Sequence, residues 1–346
     1  MKLFSLRILL NSAAALSLLV SASSCIKVTP DSGDQAEHYI GFTSSVGTKA
    51  PVESSADMEE FAVWAAYYDG GNLQSTPMNN VRVYRSGDLW MYDDLQLWQE
   101  GKWRFDAFYP HPSKLAVTDI VKDQDALAVT FSAPKTDDDE QTDLDGLSID
   151  YYYGPTASND LMVAGNTRNY TMSSPDVSPV KFNFEHLLSR VSIAVKSASE
   201  GVSLNSLTFG GMSVLGEYNM NSNEPDTWHL LTSIPELSNV QPGRFPADLT
   251  EVDDRLPPDG NSVDVLSDLL LIPQNPGTAQ VEVTYTIGAD GSGAGISETK
   301  SLTLPADPSW QPGRHYRYTL TLGTTDVTLN IDVVDWEPAE DNNITW

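Results

Sequence analysis

The chain has 346 residues, and 48 acidic against 20 basic side chains give it a formal net charge of −28. The length is typical of about two domains, and a hydrophobic content of 40% is sufficient for a buried core. The excess of acid argues against nucleic acid or anionic lipid as a partner, because phosphate groups repel it. A single cysteine excludes both an intramolecular disulfide framework and a cysteine-based zinc site.

The first residues carry the pattern of an export signal. An apolar run of 13 residues, 8–20, has the length of a signal-peptide core and is too short to cross a membrane as a helix. Small residues then lead to Cys25, as in a bacterial lipoprotein signal, where the cysteine is lipidated after cleavage. We therefore predict a lipoprotein signal peptide at 1–24 and a polar tether at 25–37. An ordinary secretory signal that leaves an unpaired thiol is the alternative.

Alternation of apolar and polar residues dominates the rest of the chain and predicts strands. The clearest segments are 103–109, 180–184, 191–195, 281–287, 316–322 and 327–333. Each would place one face toward a core and the other toward water, as in half-buried antiparallel strands. The sequence therefore predicts a mainly β fold of antiparallel sandwiches. A stretch rich in proline and serine at 172–179 suggests a boundary between domains 38–179 and 180–346.

The sequence contains no recognisable catalytic or cofactor motif. Its five histidines lie at no metal-ligand spacing, and it has no G-x-S-x-G elbow, P-loop or dinucleotide fingerprint. The acidic segment 134–146 is predicted to be a solvated loop, because its alignment with an EF-hand fails at both ends. Weak calcium binding by Asp137, Asp138, Asp139 and Asp143, or a glycosidase pair of carboxylates, are the alternatives. We expect no enzyme activity, no cofactor and no metal.

Aromatic residues are dense between Tyr84 and Tyr109. Exposed rings such as Trp90 and Trp98 would suit stacking on sugars, which makes a glycan-binding surface protein one possible function. Packing inside a sandwich explains the same residues, Trp103 among them, and is the interpretation that we favour.

An ordered series of motifs resembles the fimbrillin family of Bacteroidetes pilins and their associated proteins. The series is Tyr39-Ile40-Gly41-Phe42-Thr43, then WRFDAFYP at 103–110, DLMVA at 160–164, FNFEHLLSRV at 182–191, LIPQ at 271–274, WQPG at 310–313 and VVDW at 333–336. These motifs span nearly all of the chain after the tether.

The resemblance implies two transthyretin-like antiparallel β-sandwich domains in tandem, in a lipoprotein of the outer membrane and the surface fimbrium. It also implies a structural pilus subunit, of the shaft or the tip, that assembles by donor-strand exchange after a trypsin-like protease removes the first strand. Removing a strand opens an apolar groove lined by unpaired backbone groups, and a strand of the next subunit can fill it.

The removable strand is predicted at about 38–46, with Tyr39, Ile40 and Phe42 as its large side chains. The cut is predicted between Lys49 and Ala50, because Lys49 is the only basic residue between Lys27 and Arg82.

Two interpretations of the C-terminus stay open, a donor strand for the next subunit or a closing edge strand. Apolar and polar residues alternate from 327 to 333, and a polar tail follows. The candidate residues are Val327, Leu329, Ile331, Val333, Trp336, Ile344 and Trp346. The low apolar content of the tail favours the closing edge.

The implied partners are other pilus subunits, in a homopolymer or heteropolymer, the outer membrane through the lipid (palmitate) on Cys25, and a receptor on a host or bacterial surface. An uncleaved fimbrial anchor lipoprotein is the main alternative function.

Overall fold

The computed structural model describes residues 38–46, 58–111, 128–132, 145–152, 160–221, 228–231, 242–250, 256–257, 260–288, 295–324 and 326–335. In chain order the strands are β1 (Phe42–Val46), β2 (Glu60–Asp69), β3 (Asn72–Ser86), β4 (Leu89–Met91), β5 (Gly101–Tyr109), β6 (Ala128–Ser132), β7 (Asp145–Tyr152), β8 (Met162–Tyr170), β9 (Val180–His186), β10 (Ser189–Ser197), β11 (Val202–Gly210), β12 (Leu215–Asn221), β13 (Trp228–Leu230), β14 (Arg244–Pro246), β15 (Val263–Leu271), β16 (Gln280–Ile287), β17 (Ile296–Thr303), β18 (Arg314–Leu322) and β19 (Val327–Asp335). A 3-10 helix at Pro276–Thr278 precedes β16.

Within the described ranges the strands form four sheets, which confirms the prediction of a mainly β fold. One seven-stranded sheet has the order β1-β9-β8-β5-β2-β3-β4. Three four-stranded sheets have the orders β15-β10-β18-β19, β14-β11-β16-β17 and β13-β12-β7-β6. Most neighbours are antiparallel, but β1 runs parallel to β9 and β10 runs parallel to β18. The prediction of antiparallel sandwiches is therefore wrong at these two pairs.

The described residues form two hydrophobic cores on the sheets. The aromatic core includes Phe42, Phe61, Tyr92, Trp98, Trp103, Phe105, Tyr170, Phe182 and Phe184, all within residues 42–184. The large core includes Val191, Ile193, Phe209, Val281, Trp310, Tyr316 and Tyr318. Strand β2 contributes to both, because Phe61 and Val63 belong to the aromatic core while Ala62 and Trp64 belong to the large one. This part of the seven-stranded sheet is therefore covered on both faces.

Burial on both faces corrects the prediction for β5, whose polar positions were expected to face water. Asp106 is only 2% exposed, and Arg104 Nε donates to its Oδ1 at 3.2 Å. The next residue on that side, Phe108, lies in the large core. A buried carboxylate needs a partner of opposite charge, and Arg104 supplies it.

Strand β10 departs from the prediction in the same way, because Ser192 and Ala194 are buried instead of exposed. The strand lies between β15 and β18. Arg317 of β18 reaches across it to Asp264 of β15, with Nε and Nη2 donating to Oδ1 at 3.0 and 2.7 Å. The long arginine side chain helps to cover the small residues beneath it.

The connection between the sheets follows β9. Val180–His186 belongs to the seven-stranded sheet, and Ser189–Ser197 belongs to the sheet of β18. The turn between them is held by a hydrogen bond from Leu187 N to Leu161 O at 2.8 Å. The domain division before Val180 stays a prediction.

Candidate functional site

Residues 38–46, here called the N-terminal segment, pair with two different parts of the chain. Its first half lies antiparallel to residues 96–98, with Ile40 N donating to Gln96 O and Trp98 N donating to His38 O, both at 2.9 Å. Its second half is β1, which runs parallel to β9. The segment therefore pairs both with β9 and with the chain that follows β4.

Two large side chains of the N-terminal segment are buried in the aromatic core. Ile40 is 2% exposed and Phe42 is 4% exposed. The Phe42 ring stacks on Phe182 at a centroid distance of 5.6 Å and contacts Tyr92 at 5.3 Å. Burial of this kind stabilises by about 1.5–3 kcal/mol for each side chain.

Tyr92 fixes the middle of the N-terminal segment through its hydroxyl group. The hydroxyl donates to the carbonyl oxygen of Ile40 at 2.8 Å and accepts from Gln96 N at 3.1 Å. Burial raises the pKa of Tyr92 to about 12, so the hydroxyl can donate over a wider range of alkaline pH than an ordinary tyrosine. One side chain thus ties the segment to residue 96, its antiparallel neighbour.

A second contact holds the beginning of the N-terminal segment. His38 Nδ1 lies 2.7 Å from the Tyr170 hydroxyl, within hydrogen-bonding distance. Trp98 stacks on the Tyr170 ring at 5.3 Å with an interplanar angle of 10°. Residues from β8 and from the chain before β5 therefore meet at His38.

The first half of β9 depends on the N-terminal segment for its backbone pairing. Among the described residues, Val180–Phe184 forms a ladder with β1, whereas β8 pairs with β9 only at Glu185 and His186. On the β8 side, side chains replace the ladder. Asn166 Nδ2 donates to Lys181 O at 2.8 Å, and Arg168 Nη2 donates to Pro179 O at 2.8 Å.

Strand β19 is an edge strand that pairs antiparallel with β18 from Val327 to Asp335. Its side chains facing the core, Val327, Leu329 and Ile331, are half-buried, while Val333 is 43% exposed. The other candidate residues lie outside the described residues: Cys25, Lys49, Ala50, Trp336, Ile344 and Trp346.

The two tryptophans considered for glycan stacking are not exposed. Trp98 is 5% exposed inside the aromatic core, and Trp90 is half-buried with its ring 4.8 Å from that of Phe61. The buried Trp98 ring offers no free face for sugar stacking, and the Arg85 guanidinium lies over the Trp90 ring, 5.8 Å from its centroid.

Sequence reasoning missed the groups that hold the N-terminal segment, namely Tyr92, Gln96 and Tyr170. They are distant in sequence from the segment, and no local pattern marks them as its partners. The density of aromatic residues before position 110 was the one available signal, and it indicated a core rather than a pairing partner.

Two further observations concern the described part of the chain. It contains no group of His, Cys, Asp or Glu residues that could hold a metal ion. No helix within it has the length and apolar character needed to cross a membrane.

Comparison with protein families settles the membership of this chain. The model of the family described as fimbrillin-like matches residues 48–336. The chain belongs to the fimbrillin-like family. No curated protein matches the chain significantly.

A solved structure shares the fold of this fimbrillin-like chain, and a second one is similar at a lower TM-score. A fimbrial protein from Bacteroides vulgatus has a TM-score of 0.61 at 19% identity, and the match covers 86% of this chain and 99% of that one. The fimbrial anchor protein Mfa2 from Porphyromonas gingivalis has a TM-score of 0.40 at 12% identity, with coverages of 87% and 98%.

Proposed function

We propose that the protein is a structural subunit of a surface fimbria, in its shaft or its tip. It is exported as a lipoprotein through Cys25 and assembles by donor-strand exchange after cleavage between Lys49 and Ala50. The observation that carries this proposal is the burial of Ile40 and Phe42, two large side chains of the N-terminal segment, in the aromatic core.

Removal of the N-terminal segment would leave a site that another strand can fill. The backbone groups Gln96 O, Trp98 N and Val180 N would each lose a hydrogen-bond partner. The space left by Ile40 and Phe42 would expose aromatic rings to water, at a cost of about 3–6 kcal/mol for the two side chains. A strand with apolar residues two positions apart restores both kinds of contact.

The donor strand would come from the C-terminus of another subunit. Because β19 pairs with β18 along its whole length, we favour β19 as a closing edge strand. The tail at 337–346 is then the segment to test, by deletion, as a donor. Continued polymerisation of the truncated protein would show that the tail is not the donor strand.

The proposal includes two transthyretin-like β-sandwich domains in tandem, 38–179 and 180–346. The two hydrophobic cores support a division into two domains, with β9 completing the seven-stranded sheet across the proposed boundary. The association with other fimbrial subunits and the lipid anchor in the outer membrane belong to the same proposal.

A reversible disulfide tests whether the N-terminal segment must leave. Ser45 and Asn183 are register partners in the β1–β9 ladder, and Ser45 Oγ donates to Asn183 Oδ1 at 2.7 Å. The double variant Ser45→Cys/Asn183→Cys should form a disulfide because neighbouring strands lie within bridging distance. Oxidised protein should fail to polymerise in a host that processes it, and a reductant should restore polymerisation.

A matched disulfide inside the same sheet is the control for this test. Lys102 and Asn169 are exposed register partners in β5 and β8, away from the N-terminal segment. The variant Lys102→Cys/Asn169→Cys should polymerise equally well oxidised and reduced. Normal polymerisation of the oxidised Ser45→Cys/Asn183→Cys variant would contradict strand exchange at this site.

A further inference from the structure

The outer face of the sheet β14-β11-β16-β17 contains a hollow of about 360 Å³. Two rows of register partners cross this face. One row is Arg244, Gly210, Gln280 and Thr303; the other is Pro246, Thr208, Glu282 and Ser301. The alternate residues Phe209, Phe245 and Val281 point to the large core, so the two rows face outward.

Part of the floor of the hollow is bare backbone at Gly210 and Gly211, where a side chain would collide with the neighbouring backbone. Gly243 N donates to Met212 O at 2.8 Å and Gly211 N donates to Gly243 O at 2.9 Å. A Cβ atom on Gly210 would lie 2.8 Å from the carbonyl oxygen of Gly243, closer than side chains are found. The face therefore keeps a depression where other sheet positions carry side chains.

The walls of the hollow carry charges of opposite sign. Arg244 and Glu282 are both exposed, and no side-chain hydrogen bond or ion pair joins either of them to another described residue. They stand on the two strands that flank β11, so their backbones are roughly 10–12 Å apart. Gln280, Thr208 and Ser301 add an amide and two hydroxyl groups between and beside them.

We infer that this hollow binds a neutral sugar residue. Vicinal hydroxyl groups both donate and accept, so one ring can accept from the Arg244 guanidinium while it donates to the Glu282 carboxylate. The exposed ring of Pro242 gives an apolar surface for the C–H groups of the sugar. A neutral ligand is favoured over an anion because the net charge of −28 repels anions.

This site is independent of the proposed strand exchange. Its sheet does not include β1 or β9, and no residue of the N-terminal segment lines the hollow. It also differs from the stacking site that the sequence suggested at Trp90 and Trp98, because it depends on polar groups and not on stacking.

Saturation-transfer NMR tests the inference on the purified full chain. The probes are the methyl glycosides of galactose, mannose, glucose and N-acetylglucosamine. At least one should receive saturation from the protein, and its affinity should fall about tenfold in Arg244→Ala and in Glu282→Gln, as expected for the loss of one charged hydrogen bond. Absence of transfer to all four probes would overturn the inference.

Two control variants separate binding in the hollow from a general effect of charge. Lys102→Ala and Glu185→Gln change exposed residues of the seven-stranded sheet and should leave the affinity unchanged. An equal loss of affinity in the test and control variants would show that the sugar does not bind in the hollow. A second arm, retention on immobilised mannan and galactan, distinguishes the end of a glycan chain from a free monosaccharide.

Discussion

Phe42 makes most of the ring contacts of the N-terminal segment, and its loss should weaken the whole fold. Its ring contacts Tyr92, Phe105 and Phe182. Phe42→Ala removes these contacts and leaves a cavity, so the free energy of unfolding should fall by about 3–5 kcal/mol. Urea denaturation followed by tryptophan fluorescence measures it. The exposed neighbour Thr43 supplies the control, since Thr43→Ala should change the midpoint little. Equal midpoints for the two variants would contradict the burial of Phe42.

His315 should make stability depend on pH. Burial lowers its pKa below the usual 6.5, and the nearby Arg190 and Arg317 lower it further, against the opposing effect of two aspartates. The unfolded chain therefore takes up the proton first as the pH falls. The stability that neutral His315 contributes is present above about pH 6.5 and is lost as the pH falls below that value.

The substitution His315→Gln tests this pH dependence. An amide can keep a hydrogen bond to the hydroxyl of Ser192, which lies 2.9 Å from His315 Nε2. Thermal unfolding between about pH 5 and 8 should show a smaller decrease at low pH in the variant than in the unmodified protein. Replacement of the exposed His229 by Gln is the comparison. Parallel curves for all three proteins would show that His315 does not titrate on unfolding.

At the scale of the element, the strands could be predicted from the sequence but their neighbours could not. Strand β9 alternates buried and exposed residues as predicted, because only one of its faces packs on a core. Strand β5 follows the same sequence pattern, yet Asp106 is buried because a second core covers its other face. Alternation defines the two faces of a strand and does not reveal how many layers cover it.

The pairing of the N-terminal segment also could not be predicted from the sequence. The burial of Ile40 and Phe42 agrees with their large apolar side chains. The parallel ladder between β1 and β9 joins residues about 138 positions apart, as the contact of Ser45 with Asn183 shows. Such a register depends on the tertiary fold, because no turn links the two strands.

Arg168 should control the order of the first half of β9. Its guanidinium donates to Ser178 O at 2.6 Å and to Pro179 O at 2.8 Å, in place of a backbone ladder from β8. Arg168→Ala should therefore speed amide hydrogen exchange in peptides that cover Val180–Phe184, and leave those of β5 unchanged. Lys102→Ala is the control, because it also removes one positive charge. Unaltered exchange at β9 would mean that β1 alone orders this half of the strand.

At the scale of the whole molecule, the net charge of −28 should slow the encounter of identical subunits. Their mutual repulsion reaches about 30 Å at 0.01 M salt and only about 10 Å at 0.1 M. If the subunits polymerise as proposed, sodium chloride should raise the initial rate over this range. Light scattering by the processed protein measures it, with sucrose of equal osmolarity as the control. A rate independent of salt would mean that repulsion does not limit assembly.

Whether the chain is cleaved at the cell surface distinguishes the proposed subunit from an uncleaved anchor. Strand exchange requires that the N-terminal segment, which buries Ile40 and Phe42, be cut from the body. The intact mass of protein from the native cell surface should therefore correspond to a chain that begins at Ala50. Lys49→Gln should abolish this species and leave an acylated chain that begins at Cys25. A single acylated species in the unmodified protein would mean that the segment stays in its groove, and the protein would then act as an anchor that cannot accept a donor strand there.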